Sequence, residues 1–248
     1  MSAIAALLGL SLASCFLAYV GLVAAVLAVV LLRYLPLSRA LPGVAVLAVW
    51  LGYAGAMGYS GIVADPTRTP PGVFLLLAPV LAFLAIGLRR SKVGGQLAVS
   101  LPLGLIFGLQ TFRIGVELTL SSLHDAGLAP RLLTLVGGNV EILVALSAPL
   151  IAMIATRGLA GRRLALAWNV VGLLSLLNVA ARAMLTAPGP LNLIHAELPN
   201  VAMGMFPFTF IPGFMAPLAM ALHVLAFRAL RAASTDNAIA VNRADFAL

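Results

Sequence analysis

Residues 3–32, AIAALLGLSLASCFLAYVGLVAAVLAVVLL, run for 30 positions without a charged side chain. A helix needs about 20 mostly apolar residues to cross the hydrocarbon core of a bilayer, so this stretch spans with tilt to spare. A cleavable signal peptide would open with a positively charged segment; only Met1 and Ser2 precede the run, which reads as a retained helix. Six further apolar runs follow at 40–64, 73–88, 97–123, 131–157, 164–185 and 206–230. Prolines in DPTRTPPG (65–72) close the second and open the third, and RRSK (89–92) closes the third. The expected fold is an all-α membrane protein of seven transmembrane helices over 1–231, followed by a polar, mobile cytoplasmic tail at 232–248.

Composition agrees. Of 248 residues, 62% are hydrophobic and 9% charged, against roughly 25% charged in a soluble domain, and the mean hydropathy is +1.12. A soluble enzyme and a disordered regulator are excluded, as is a transmembrane β-barrel, whose strands alternate polar and apolar residues. The net charge of +8 does not point to nucleic acid, because the basic residues sit in short clusters between apolar runs. The lone cysteine, Cys15, removes intrachain disulfides and Cys-rich metal sites. Of 15 basic residues only Lys92 is lysine, and it lies in a loop, which argues against retinal chemistry.

Cytoplasmic loops of membrane proteins carry the excess of Lys and Arg. Arg33, Arg39, Arg89, Arg90, Lys92, Arg157, Arg162, Arg163, Arg228, Arg231 and Arg243 fall on one side of the seven-span arrangement, and Arg68 and Arg131 on the other. Eleven against two predicts an outside N-terminus and a cytoplasmic C-terminus. Glycines 52, 55, 58 and 61, and 104 and 108, predict close helix contact.

Charges at membrane depth cost about 2.5–3.5 kcal/mol each on insertion scales and persist where they are paired, hydrated or used. In QTFRIGVELTL (110–120), Arg113 and Glu117 stand four apart on one helical face, close enough to pair. Asn178 and Arg182 repeat that spacing in the sixth run. GGNVEIL (137–143) adds Asn139 and Glu141, either within a helix begun near 132 or with Asn139 as N-cap and Glu141 in the first turn. The expectation is a charge-balanced polar cluster of Arg113, Glu117, Asn139, Glu141, Asn178 and Arg182 opening outward. A buried ion-pair network that only fixes packing is the structural alternative.

The long connection TAPGPLNLIHAELPNVAMGMFPFTFIPG (186–213) is too apolar for a freely solvated loop and reads as a lid or interfacial segment, with Phe206, Phe208 and Phe210 as headgroup anchors. His195 and Glu197 within it, and His124 after the fourth run, are outer-loop candidates; their spacing matches no zinc signature, and neither metal nor cofactor is expected. His223 reads as a packed or interfacial histidine rather than a proton relay, and Trp168 and Asn169 as an interfacial or interhelical pair.

At FRIGVELTL, GGNVEILVALSAP, WNVVGLLSLLNVAARAMLTAPGP and FPFTFIPGFMAPLAMALHVLA, over roughly residues 100 to 228, the chain resembles bacterial multi-pass inner-membrane proteins that carry no assigned activity. The resemblance implies a location in the bacterial inner membrane and transfers no substrate, cofactor or catalytic residue. The residues themselves favour binding a small polar or amphiphilic solute, such as a carboxylate-bearing anion, for transport or sensing. Its partners are the bilayer and a small-molecule or lipid ligand, with no nucleic acid. The competing readings are a membrane-embedded enzyme acting on lipid or prenyl substrates, which no nucleophile beside a base supports, and a structural or assembly subunit.

Overall fold

The computed structural model describes residues 1, 2, 4, 9–90 and 92–245, with backbone alone at 93 and 233–245. Helices are α1 (Leu12–Tyr34), α2 (Leu37–Tyr59), α3 (Val73–Ala82), α4 (Lys92–Ser100), α5 (Leu103–Leu109), α6 (Arg113–Asp125), α7 (Glu141–Ile154), α8 (Gly158–Leu185) and α9 (Ala216–Asp245). No strand occurs among the described residues. Three breaks in α-geometry are joined to these helices. A π-helical segment, Phe83–Leu88, extends α3; a 3-10 turn, Gln110–Phe112, links α5 to α6; and a second π segment, Ile211–Met215, leads into α9.

Among the described residues, five helical stretches are long and apolar enough to cross a membrane: Leu12–Tyr34, Leu37–Tyr59, Leu103–Asp125, Gly158–Leu185 and Ile211–Ala232. The third and fifth apolar runs form shorter helices, Val73–Leu88 and Glu141–Ile154. At 1.5 Å per residue, the latter is about 21 Å long, short of a ~30 Å hydrocarbon core. The reason lies in residues 131–140. Pro130 and the Gly137–Gly138 pair favour turns over helix, so Arg131–Leu133 and Leu135–Gly137 close two 3-10 turns, Gly138 takes the left-handed region at φ +88°, and α7 starts at Glu141. At the other end of the chain, α9 continues through Asp245 over the segment expected to be a tail; residues 246–248 lie outside the described chain.

The exterior carries many large apolar side chains, and a minority of polar groups, Arg113, Glu117, Asn139, Glu141 and His223 among them, are buried inside an otherwise apolar core. Val49 is 74% exposed and Val171 61%, and Leu22, Leu143, Leu146, Leu150 and Leu174 also face outward. Inside, one core joins Leu84, Leu88, Ile106, Phe107, Ile151, Leu222 and Leu225, while a second joins Phe16, Val20, Leu76, Leu120, Phe208 and Phe214. Phe208 and Phe210 therefore turn into the bundle rather than to headgroups, Phe208 lying 5.4 Å from Phe16, because the connection folds back over apolar side chains; Phe206 stays partly exposed beside Tyr59. The glycine expectation divides. Gly55 and Gly58 face Phe210 and Thr209, and Gly104 faces the Ala152 carbonyl, but Gly52 and Gly61 meet nothing within 4 Å.

A broken helix in an apolar medium leaves carbonyls that must find donors. Side chains supply them. The Trp50 indole N–H donates to the Gly213 carbonyl at 2.7 Å, the Tyr19 hydroxyl donates to the Phe112 carbonyl, and Gln110 Nε2 donates to the Ala219 carbonyl at 3.3 Å. The breaks are thus built into the bundle, and two of them adjoin the site.

Candidate functional site

Arg113 follows the 3-10 turn at the middle of the Leu103–Asp125 span, 12 residues or about 18 Å from its Asp125 end. Its side chain is 3% exposed and forms an ion pair with Glu141, itself 2% exposed at the first residue of α7. The pair expected within one helix, Arg113 with Glu117, is replaced by this one across two helices. Residues 131–140 form turns where α7 would otherwise extend toward its N-terminus, so Glu141 begins the helix beside the arginine. Glu117 instead accepts the Asn139 Nδ2–H at 2.8 Å. Asn139 is fully engaged: Nδ2 also donates to the Leu133 carbonyl at 2.8 Å, and Oδ1 accepts the Glu141 backbone N–H at 3.1 Å. It thereby satisfies one of the donors a helix start leaves free and fixes Glu117 and Glu141 relative to each other.

Behind the arginine stands His223, fully buried on α9. Asn169 Nδ2 donates to the His223 carbonyl at 3.0 Å, leaving Asn169 Oδ1, 2.8 Å from His223 Nδ1, as an acceptor. Nδ1 therefore carries the proton, and Nε2 accepts from Arg113 Nη1 at 3.2 Å. The imidazole is neutral and buttresses the guanidinium, with Gln110 Oε1 a further acceptor at 3.5 Å. Sequence reading placed His223 and Asn169 in separate structural roles. Their link to Arg113 had a faint signal, since each is a polar residue within an apolar run, but helix rotation decides whether such residues meet.

Arg182 does not join this cluster through any hydrogen bond or ion pair. Its Nε donates to Asn178 Oδ1 at 3.2 Å, confirming their shared face, and its Nη1 donates to the carbonyls of Leu132 and Gly137 at 3.4 and 3.2 Å. Arg182 and Asn178 thus pin the 131–138 turns against α8. His124 Nδ1 bonds the Ala129 carbonyl at 3.0 Å, and His195 is exposed. No group of three or more His, Cys, Asp or Glu among the described residues is placed to hold a metal ion.

Arg113, Glu117 and Glu141 form one wall of a cavity of about 210 Å³. A water needs roughly 10–15 Å³ on such a measure, so the space suits a small organic molecule. The remaining lining is apolar apart from Asn200: Val116, Leu176, Ala180, Ala183, Pro212 and the methionines 184, 203, 205 and 215 are typical. Val63–Ala64, Ala187–Pro188, Asn200–Val201 and Met203–Met205 line it from the connections, so the segment expected to act as a lid lies over the cavity. Bonds from Asn200 N–H to the Thr186 carbonyl and from Ala202 N–H to the Leu128 carbonyl hold it there. Two buried acceptors on lining residues, Glu141 Oε1 and Asn200 Oδ1, have no hydrogen-bond partner among the described residues.

Glu197 ties the same covering segment to the 131–138 turns by accepting the Arg131 backbone N–H, which lowers its pKa from the ordinary carboxylate value. The sign follows from linkage. With the folded value below the unfolded one, the tie is fully present above the ordinary carboxylate range and is lost as pH falls through the depressed folded value. Amide exchange at Arg131 should lose protection on acidification in the native protein, and Glu197→Gln should lack that step; an identical acid profile in both would remove the tie.

Residues 70–231 match the family described as Domain of unknown function (DUF8737), and the chain belongs to it. No curated protein and no solved structure matches the chain.

Proposed function

We propose that this family member is a seven-crossing inner-membrane protein of bacteria that binds a small polar or amphiphilic solute from the outer side and moves or senses it. The observation that carries the reading is the apolar cavity walled on one side by Arg113, Glu117 and Glu141. A merely structural ion pair needs no adjoining space. Orientation is supported by charge: the connections lining the cavity adjoin the loops that hold Arg68 and Arg131, away from the clusters at 89–92 and 157–163. The irregular backbone fits as well, because non-helical segments at membrane depth are tolerated where they are covered by protein or line a cavity. Ile211 and Pro212 of the π segment, Phe112 of the 3-10 turn and the start of α7 all line this one.

In mechanism, Arg113 is the exchanging element. It holds Glu141 and lies one helical turn from Glu117 on its own helix. A solute that engages Glu141 competes for that carboxylate and leaves the guanidinium to Glu117, coupling occupancy to the packing of α6 against α7. Arg182, engaged with the 131–138 turns, positions the rim.

Ala180→Phe, on the lining of α8, tests the reading. The added ring fills cavity space while every member of the ion pair is retained. Amphiphiles that raise the melting temperature of the purified protein should bind Ala180→Phe at least about tenfold more weakly, a loss of 1.4 kcal/mol. Proteoliposome uptake of the same compounds separates movement from sensing. Unchanged binding of every compound would place them outside the cavity and end the proposal.

A further inference from the structure

We infer that the solute carries a protonated amine on an apolar body; the inference rests on the cavity being a solute site and names its chemical class. Three observations converge. The charged residues lining the cavity among the described residues are Arg113, Glu117 and Glu141, a formal excess of one negative charge. The neighbouring groups do not cancel it: His223 is neutral by its hydrogen bonds, Arg182 is bonded elsewhere, and Asn139 and Gln110 carry no charge. An anion would add to that excess, and a neutral solute would leave it. Two buried carboxylates beside one arginine leave a negative excess that a cationic group in the adjoining cavity would offset.

The second observation concerns hydrogen-bond sense. Of the buried atoms on lining residues that lack a hydrogen bond, Arg113 Nη2 is spent on the ion pair with Glu141, and the other two, Glu141 Oε1 and Asn200 Oδ1, are acceptors. The Asn200 amide is oriented by its Nδ2 bond to the Ala183 carbonyl at 2.9 Å, which leaves the oxygen as the free end. An ammonium, with up to three N–H donors and no acceptor, matches both. A carboxylate matches neither. Third, the rest of the wall is apolar, Phe112 included, with four methionines, whose flexible thioethers adapt to apolar shapes. The apolar body is therefore accepted loosely and the ammonium specifically.

The test uses the full chain in nanodiscs of phosphatidylcholine, which supplies no N–H donor in its headgroup. Three probes share one body: 4-phenylbutylamine, 4-phenylbutanol and 4-phenylbutyrate, with binding measured at pH 7. The amine should bind at least about tenfold more tightly than the carboxylate, and Glu141→Gln should remove most of that preference while sparing the alcohol. Asn200→Ala should weaken the amine several-fold. Adding phosphatidylethanolamine distinguishes the sources of an ammonium: competition with the probe assigns the site to a lipid headgroup, and no competition to a free amphiphile. Equal or tighter binding of the carboxylate overturns the inference in the native protein, without recourse to any variant. If that binding is still abolished by Ala180→Phe, the solute cavity stands and its charge preference is reversed. If no probe binds, or binding ignores Ala180→Phe, the cavity reading falls with it.

Discussion

Arg113→Met is expected to destabilise the bundle by about 3–5 kcal/mol, the cost of leaving a buried carboxylate without its partner. Equilibrium unfolding in mixed micelles measures it. Glu141 begins α7 between Asn139 and Arg113 and cannot reach water without moving the helix start. Adding Glu141→Gln to Arg113→Met should recover part of the loss, because one of the two carboxylates that shared the arginine is then neutral. Glu141→Gln alone should cost less than Arg113→Met, since Glu117 remains one turn from the guanidinium. This asymmetry is specific to two carboxylates sharing one cation. Equal costs for the two single variants would show that Glu117 does not share in neutralising Arg113.

Gly172→Val should be nearly as damaging, although residue 172 carries no functional group. A Cβ there would lie 2.8 Å from His223 Cε1 and 3.1 Å from Val144 Cγ1. The imidazole cannot retreat, because Asn169 holds it at both its carbonyl and Nδ1. Overpacking of this kind costs about 1–3 kcal/mol, and here it also pushes Nε2 off Arg113, so amine binding should fall together with stability. Gly52→Ala is the control: nothing lies within 4 Å of its added methyl, and helix propensity favours Ala by up to about 1 kcal/mol. If both substitutions are equally harmless, His223 is not locked as described.

The parts of this fold visible from residues alone were those fixed by local composition. Uncharged runs became helices, and the i, i+4 spacing of Asn178 and Arg182 became a hydrogen bond. The meeting of Arg113, Glu117, Asn139 and Glu141 in one place was also foreseeable, because each is too costly at membrane depth to stand alone. What stayed hidden depends on rotation and on breaks. The partner of Arg113 is Glu141 rather than Glu117 because turns at 131–138 shorten α7, and GGN reads equally well as a flexible patch within a longer helix. Arg182 shares the apparent depth of the cluster, yet the same turns present it with carbonyls first. His223 lies 110 positions from Arg113 in sequence, and no spacing rule links them.

The shortness of α7 also bears on how the chain reaches its membrane. A 14-residue segment that opens with a carboxylate is a poor candidate to leave the insertion machinery alone for lipid. Leu103–Asp125 emerges first, bearing an arginine that lipid rejects equally. Each segment cancels the other's defect, so the two should enter as a hairpin, with Arg113 retained at the exit site until Glu141 is synthesised. The bond that shapes the mature cavity would then also time its biogenesis.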